Sequence, residues 1–253
     1  SRVGVFAHEM GHMLGLPDLY DNSGIDHVGA WDLMALGSSN CEGREPAHPT
    51  SYSKIKLGWI PESEVSEVYQ GQRRVNITIS PLEMDSTGRK VLKLPVNARS
   101  YYLIEVRHRM GFDFCLPDSG VVIMLADDSR GSGQSPLRII DPDTWSPTHL
   151  PSKAFKEGDF FSDETSYVGV EIGPADGLSF TLLVDRSGAP VPTRQVRYRV
   201  VTIAEFEPSL VLIALVSTII IVSHTCGATK ESRQRRRDPW VQRGRAKSAS
   251  GRF

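Results

Sequence analysis

Two histidines four residues apart constrain this chain more than any other feature. In the run His8-Glu9-Met10-Gly11-His12-Met13-Leu14-Gly15-Leu16-Pro17-Asp18, both imidazoles come close enough to share one ligand if the segment is helical, because residues four apart then lie on one face, a turn from each other. Val3, Phe6, Met10 and Met13 or Leu14 recur at three- and four-residue spacing, so the periodicity predicts a helix over 2–16, stopped by Gly15 and followed by Pro17. That apolar stripe is expected to pack, leaving His8 and His12 to reach one tetrahedral metal ion. Glu9, adjacent to the first ligand, is placed to hold and deprotonate a water on that metal, an arrangement suited to peptide hydrolysis. Gly15 permits the positive φ that ends the helix and swings the chain back, which offers Asp18 as a third ligand. Zinc suits two imidazoles, a carboxylate and a water, although manganese and iron accept the same set.

Beyond this helix the pattern changes twice. Residues 21–48 are rich in Gly and Pro and read as a loop; Thr50 then offers an N-cap to a second helix with Tyr52, Ile55 and Trp59 on one face and Gly58 near its end. After Pro61 the period becomes two. Val75–Ile79, Leu92–Val96, Tyr102–Val106, Gly120–Ala126, Tyr167–Ile172, Leu178–Val184 and Val196–Val200 read as strands, which predicts an antiparallel sandwich or barrel-like sheet and an α+β fold overall.

The charge is asymmetric. The 253 residues carry a formal net charge of -1, yet residues 230–253 hold nine basic and two acidic residues, leaving 20 basic and 28 acidic in 1–229. Between the acidic body and the basic tail, Pro208 to Thr229 contains no Lys, Arg, Asp or Glu. An uncharged stretch near the ~20 residues needed to cross a bilayer, followed directly by Lys and Arg, predicts a single transmembrane helix with the tail cytoplasmic and the body outside. The competing assignment is a buried core helix or strand. Arg235, Arg236 and Arg237 then read as an inner-leaflet anchor, and no nucleic-acid partner is expected. The expected organisation is 1–61 a catalytic portion, 62–204 a β-rich module, 208–229 a membrane span and 230–253 a basic tail.

The segment Phe6 to Asp21, FAHEMGHMLGLPDLYD, closely resembles the active-site segment of the immune inhibitor A family of secreted zinc metallopeptidases, relatives of the metzincins with Asp as third ligand. Trp31-Asp32-Leu33-Met34-Ala35-Leu36-Gly37 resembles that family's Met-turn, Ser51 to Trp59 the helix after it, and Tyr101–Arg107 and Leu116–Val121 its β-rich continuation. The resemblance implies that His8, His12 and Asp18 bind Zn2+, that Glu9 is the general base, that Met34 forms an apolar floor under the metal, and that Tyr20 or Tyr52 donates to the oxyanion. For either tyrosine taken alone, packing or a hydroxyl bond to the backbone is the simpler reading. It further implies the C-terminal part of a metzincin-like catalytic domain, a protein or peptide substrate, and a cleft wall supplied by sequence upstream of Ser1. The chain is therefore expected to be part of a longer precursor. A cell-surface binding or adhesion module with a vestigial protease site is the alternative.

Weaker signals remain. Asp127, Asp128, Asp141, Asp143, Asp159 and Asp163 would suit a structural Ca2+, although no EF-hand spacing occurs and solvated loop acids are the simpler reading. His27, His48, His108, His149 and His224 lack ligand-like pairing, and Asn76-Ile77-Thr78 is a sequon within a strand. Cys41 and Cys115 are equally readable as a disulfide or as free thiols; Cys226 could be acylated, but a plain buried thiol is the simpler reading.

Overall fold

The structure, a computed structural model, describes residues 2–85, 88–143 and 150–188. All of them fall in one compact unit, 1–200; a second unit, 201–253, lies outside the described residues, as do the expected strand 196–200, the uncharged stretch 208–229, the basic tail, His149, His224 and Cys226. Among the described residues no helix is long and apolar enough to cross a membrane.

Helix α1 spans Val3–Met13, a single turn α2 spans Asn40–Gly43, and α3 spans Ser51–Lys56. The strands are β1 (Val65–Glu67), β2 (Val75–Ile79), β3 (Val91–Pro95), β4 (Ser100–Arg107), β5 (Gly120–Asp127), β6 (Leu137–Ile140), β7 (Phe160–Asp163), β8 (Val168–Asp176) and β9 (Ser179–Asp185). They form two sheets. One has five strands in the order β1-β3-β4-β5-β6, antiparallel except that β1 runs parallel to β3; the other has four, β2-β9-β8-β7, all antiparallel.

Alternation along β4 and β5 explains the layering. Leu103, Val122, Met124 and Ala126 point into a core shared with Leu16, Leu19, Trp31, Met34 and Tyr52. Their neighbours Tyr102, Ile104, Val106, Val121 and Ile123 point the other way, into a core shared with Ile79, Phe161, Val170, Leu182 and Val184 of the second sheet. The five-stranded sheet is thus the middle layer, covered on both faces. The segments read as 1–61 and 62–204 share the first of these cores. The four-stranded sheet has one buried and one open face, as the exposure of Asn76, Thr78 and Glu171 shows.

Two helical expectations are corrected. The stripe Val3, Phe6, Met10 and Met13 does not pack among the described residues: Phe6 is 72% and Met13 80% exposed, and the buried positions of α1 are Gly4 and Gly11. Close backbone approach decides this, since a Cβ on Gly4 would lie 1.8 Å from the Ser38 carbonyl oxygen and one on Gly11 would lie 2.4 Å from Met34 Sδ. Trp59 likewise lies beyond the end of α3 and is exposed, whereas Tyr52 and Ile55 do face the core. Strands β1, β6 and β7 were not read from the sequence, being only three or four residues long.

Candidate metal centre

Helix α1 ends in a turn that returns the chain to its own last histidine. Gly15 takes a φ of 97°, the Gly15 N–H donates to the His12 carbonyl (2.9 Å) and the Leu16 N–H to the Gly11 carbonyl (3.0 Å). This pair of bonds is the Schellman motif, which satisfies carbonyls left over at the helix end and reverses the chain. The reversal delivers Asp18.

Each histidine is oriented by a backbone carbonyl. His8 Nδ1 donates to the Leu33 carbonyl and His12 Nδ1 to the Leu16 carbonyl, both at 2.9 Å. A carbonyl accepts only, so in the neutral ring the proton is on Nδ1 and Nε2 carries the free lone pair. Both lone pairs converge on one carboxylate oxygen: Asp18 Oδ1 lies 3.3 Å from His8 Nε2 and 3.2 Å from His12 Nε2. Ligands bonded to a tetrahedral zinc at ~2.0–2.1 Å stand roughly 3.3 Å apart, so Asp18 Oδ1 stands from each imidazole as a fellow ligand of such a site would. Asp18 Oδ1 is buried with no hydrogen-bond partner, a costly arrangement that a cation would relieve. The three residues therefore fit a metal, and zinc suits the donor set and spacing.

Asp18 is held from two further sides. Burial acts to raise its carboxyl, but hydrogen bonds from Tyr20 and Ser132, with His12 and His8 beside it, outweigh that and keep it below the ordinary value. Ser132 Oγ donates to Asp18 Oδ2 (3.1 Å) and accepts from the Asp18 N–H (3.1 Å). The Tyr20 phenol is pushed up to about 12, first by its hydrogen bond to Asp18, then by burial and by the charges of Asp18, Glu9 and Asp26. Tyr20 is thus beside Asp18 and protonated at neutral pH. Glu9 is exposed on α1 next to His8. An open depression beside His8 is lined by Val5, Tyr20, Ala35, Leu36 and Ser38.

Met34 is fully buried against Gly11, whose missing side chain makes room for its sulfur under the helix. Its backbone is fixed by Asp32, whose Oδ1 accepts from the Met34 N–H (2.7 Å) and whose Oδ2 accepts from the Thr50 N–H (2.6 Å), Thr50 Oγ1 (2.7 Å) and Ser53 Oγ (3.2 Å). The Met34 carbonyl in turn accepts from the Leu19 N–H at 3.1 Å, next to Asp18. One buried carboxylate thereby sets the turn that carries the Leu33 carbonyl to His8 and Met34 beneath α1.

The same loop is anchored to the middle sheet by Arg107, which is completely buried. Its guanidinium donates to both oxygens of Asp113 (2.7–2.9 Å), to Glu105 Oε1 (3.0 Å) and to the carbonyls of Trp31 and His48 (3.2 Å each). Glu83 Oε1 lies 2.5 Å from its Nε. Glu105 Oε2 accepts from the Ser51 N–H at 2.6 Å, and Asp113 Oδ1 from the His48 N–H at 2.8 Å. Sequence reasoning missed Ser132, Asp32, Glu83, Glu105, Arg107 and Asp113. For Asp32 its place two residues before Met34 was a usable signal.

Tyr52 lies buried in the core, with Lys56 Nζ 4.7 Å from its ring centroid. Cys41 and Cys115 are joined in a disulfide. These acids are engaged within the protein: Asp127, at the end of β5, accepts from Ser129, Asp141 from Ser152 and Lys153, and Asp163, at the end of β7, from Tyr102 and Thr165. Among the described residues they form no group of three that could share a cation.

Residues 1–63 match the family model for the immune inhibitor A peptidase M6 catalytic domain. Over 259 residues the chain is also 27% identical to the "Putative secreted metallopeptidase" of Arthroderma benhamiae, a match covering 78% of this chain and 38% of that protein. The chain thus spans well under half the length of that relative. The resemblance drawn from the residues around His8 is borne out, and the matches support a metallopeptidase in general.

Proposed function

We propose that this chain carries the metal-binding half of a zinc-dependent endopeptidase, with His8, His12 and Asp18 as the zinc ligands and Glu9 as the general base. What carries this reading is the buried, unpartnered Asp18 Oδ1 lying 3.2–3.3 Å from both histidine Nε2 atoms. Bound zinc would supply Lewis acidity toward the substrate carbonyl and acidify a water for attack. Glu9, exposed beside His8, would take the proton from the attacking water and return it to the leaving amine. The Tyr20 hydroxyl, protonated at neutral pH and next to the ligands, is the available donor to the developing oxyanion. The carbonyls of Leu33 and Leu16 keep the imidazoles in place, and Met34 packs beneath the helix at Gly11.

Glu9→Gln in the full-length protein tests these roles. Zinc content should stay stoichiometric while peptide hydrolysis falls by orders of magnitude; loss of zinc on this substitution would reassign Glu9. We further propose that residues 208–229 anchor the protein in a membrane with the catalytic part outside, in keeping with the relative's description as secreted. Recovery of the intact chain in the soluble fraction after lysis would remove the anchor.

A further inference from the structure

We propose that Ser132 is a positioning residue for the metal site, through which the loop between β5 and β6 sets the orientation of the Asp18 carboxylate. The inference rests on Asp18 being a zinc ligand, and Ser132 lies outside the segment that matches the peptidase family.

A carboxylate offers two oxygens and rotates about χ2, so a single-oxygen ligand is only as well placed as its other oxygen allows. Here Oδ1 faces the two Nε2 atoms and has no hydrogen-bond partner, while Oδ2 accepts from Ser132 Oγ at 3.1 Å. The same hydroxyl accepts from the Asp18 backbone N–H at 3.1 Å, so it fixes main chain and side chain together.

The hydroxyl can do this because its loop is clamped to the segment after Asp18. The Asn22 N–H donates to the Gly133 carbonyl at 3.0 Å, and Asp21 forms bridges with Gly133 and Gln134. Gly133 has a φ of 73°, and a Cβ there would stand 2.3 Å from Asn22 Oδ1, so the contact needs glycine. Within the loop, the Gly131 N–H donates to Gln134 Oε1 and the Gln134 N–H to the Gly131 carbonyl, which presents Ser132 at the apex. The β-rich part thereby contributes to metal binding through one side chain.

The test measures zinc affinity of the full chain by competition with a chromophoric chelator, together with the visible absorption of the cobalt-substituted protein. Ser132→Ala should bind zinc about tenfold more weakly and alter the cobalt spectrum, and Ser132→Thr should restore both, in line with the effect of losing such an outer partner. Asp18→Ala should lose at least about a hundredfold. Wild-type affinity and spectrum in Ser132→Ala, with Asp18→Ala impaired, would overturn the role of Ser132 alone. Equal losses in Ser132→Ala and Ser132→Thr would also overturn it, since loop shape and not the hydroxyl would then matter. Unchanged zinc binding in Asp18→Ala would overturn the ligand assignment itself.

Discussion

Raising the pH through 8 should weaken this fold by way of one carboxyl, Glu83. Its side chain is 4% exposed and sits against Arg107. Burial is the largest influence on it; Arg107 opposes, but the neighbouring carboxyls of Asp113 and Glu105 add to burial and push Glu83 up to about 8. Unfolded, the same carboxyl titrates near 4.5. Between these values the native state holds a proton that the unfolded state has lost, so stability falls as pH rises. The contribution is complete below about pH 4.5, declines by up to ~1.4 kcal/mol per pH unit, and is gone above 8, which amounts to roughly 5 kcal/mol. Lys54, held below its ordinary value by burial and by Arg107, acts with the opposite sign, so the comparison must isolate Glu83. Glu83→Gln does so by fixing the neutral form. Urea unfolding of both proteins in a chelator at pH 5, 6, 7, 8 and 9 should give similar stabilities near pH 5, an advantage for the variant that grows up to about pH 8, and a constant difference above it. Parallel curves across the range would refute the reasoning, because they would mean that Glu83 is charged throughout.

Three further outcomes follow from the packing. Gly4→Ala places a methyl 1.8 Å from the Ser38 carbonyl oxygen; the helix and loop must part, which should cost about 2–3 kcal/mol by urea unfolding, despite the gain in helix propensity. Asp32→Ala strands the buried donors of Met34, Thr50 and Ser53, and a loss of about 3 kcal/mol, or roughly 10 °C in Tm, should be seen by calorimetry. Reducing the disulfide between Cys41 and Cys115, 74 residues apart, should destabilise by up to about 4 kcal/mol, read from unfolding with and without dithiothreitol.

Much of the fold was legible because its signals are local. The strands β2, β3, β4, β5, β8 and β9 lie within a few residues of their expected places, since each has a run of alternating or continuous apolar residues at least five long. The α1 stripe misled for a physical reason: apolar periodicity finds an apolar face, whereas this helix is held by the face on which Gly4, Gly11 and the two histidines let a loop come close. Glycine carries no hydrophobic signal, so its packing is invisible to a period count. On β4, Glu105 and Arg107 share a face with Leu103. In an isolated strand they would read as solvated charge, and only a sheet covered on both sides turns them into a buried network.

The metal centre divides along the same line. His8, Glu9 and His12 are fixed relative to one another by helix geometry, and Gly15 and Asp18 by a turn that helix ends commonly use, so five residues within eleven positions suffice to read them. What aims them is distant: the Leu33 carbonyl is 25 residues from His8, and Ser132 is 114 from Asp18. These partners act through a backbone carbonyl and an ordinary serine, neither of which has a sequence signature. A motif therefore specifies which atoms could bind a metal, while the affinity depends on contacts that form only when the β-rich part folds against the helix. Destabilising that part should then weaken zinc binding even where every ligand is intact.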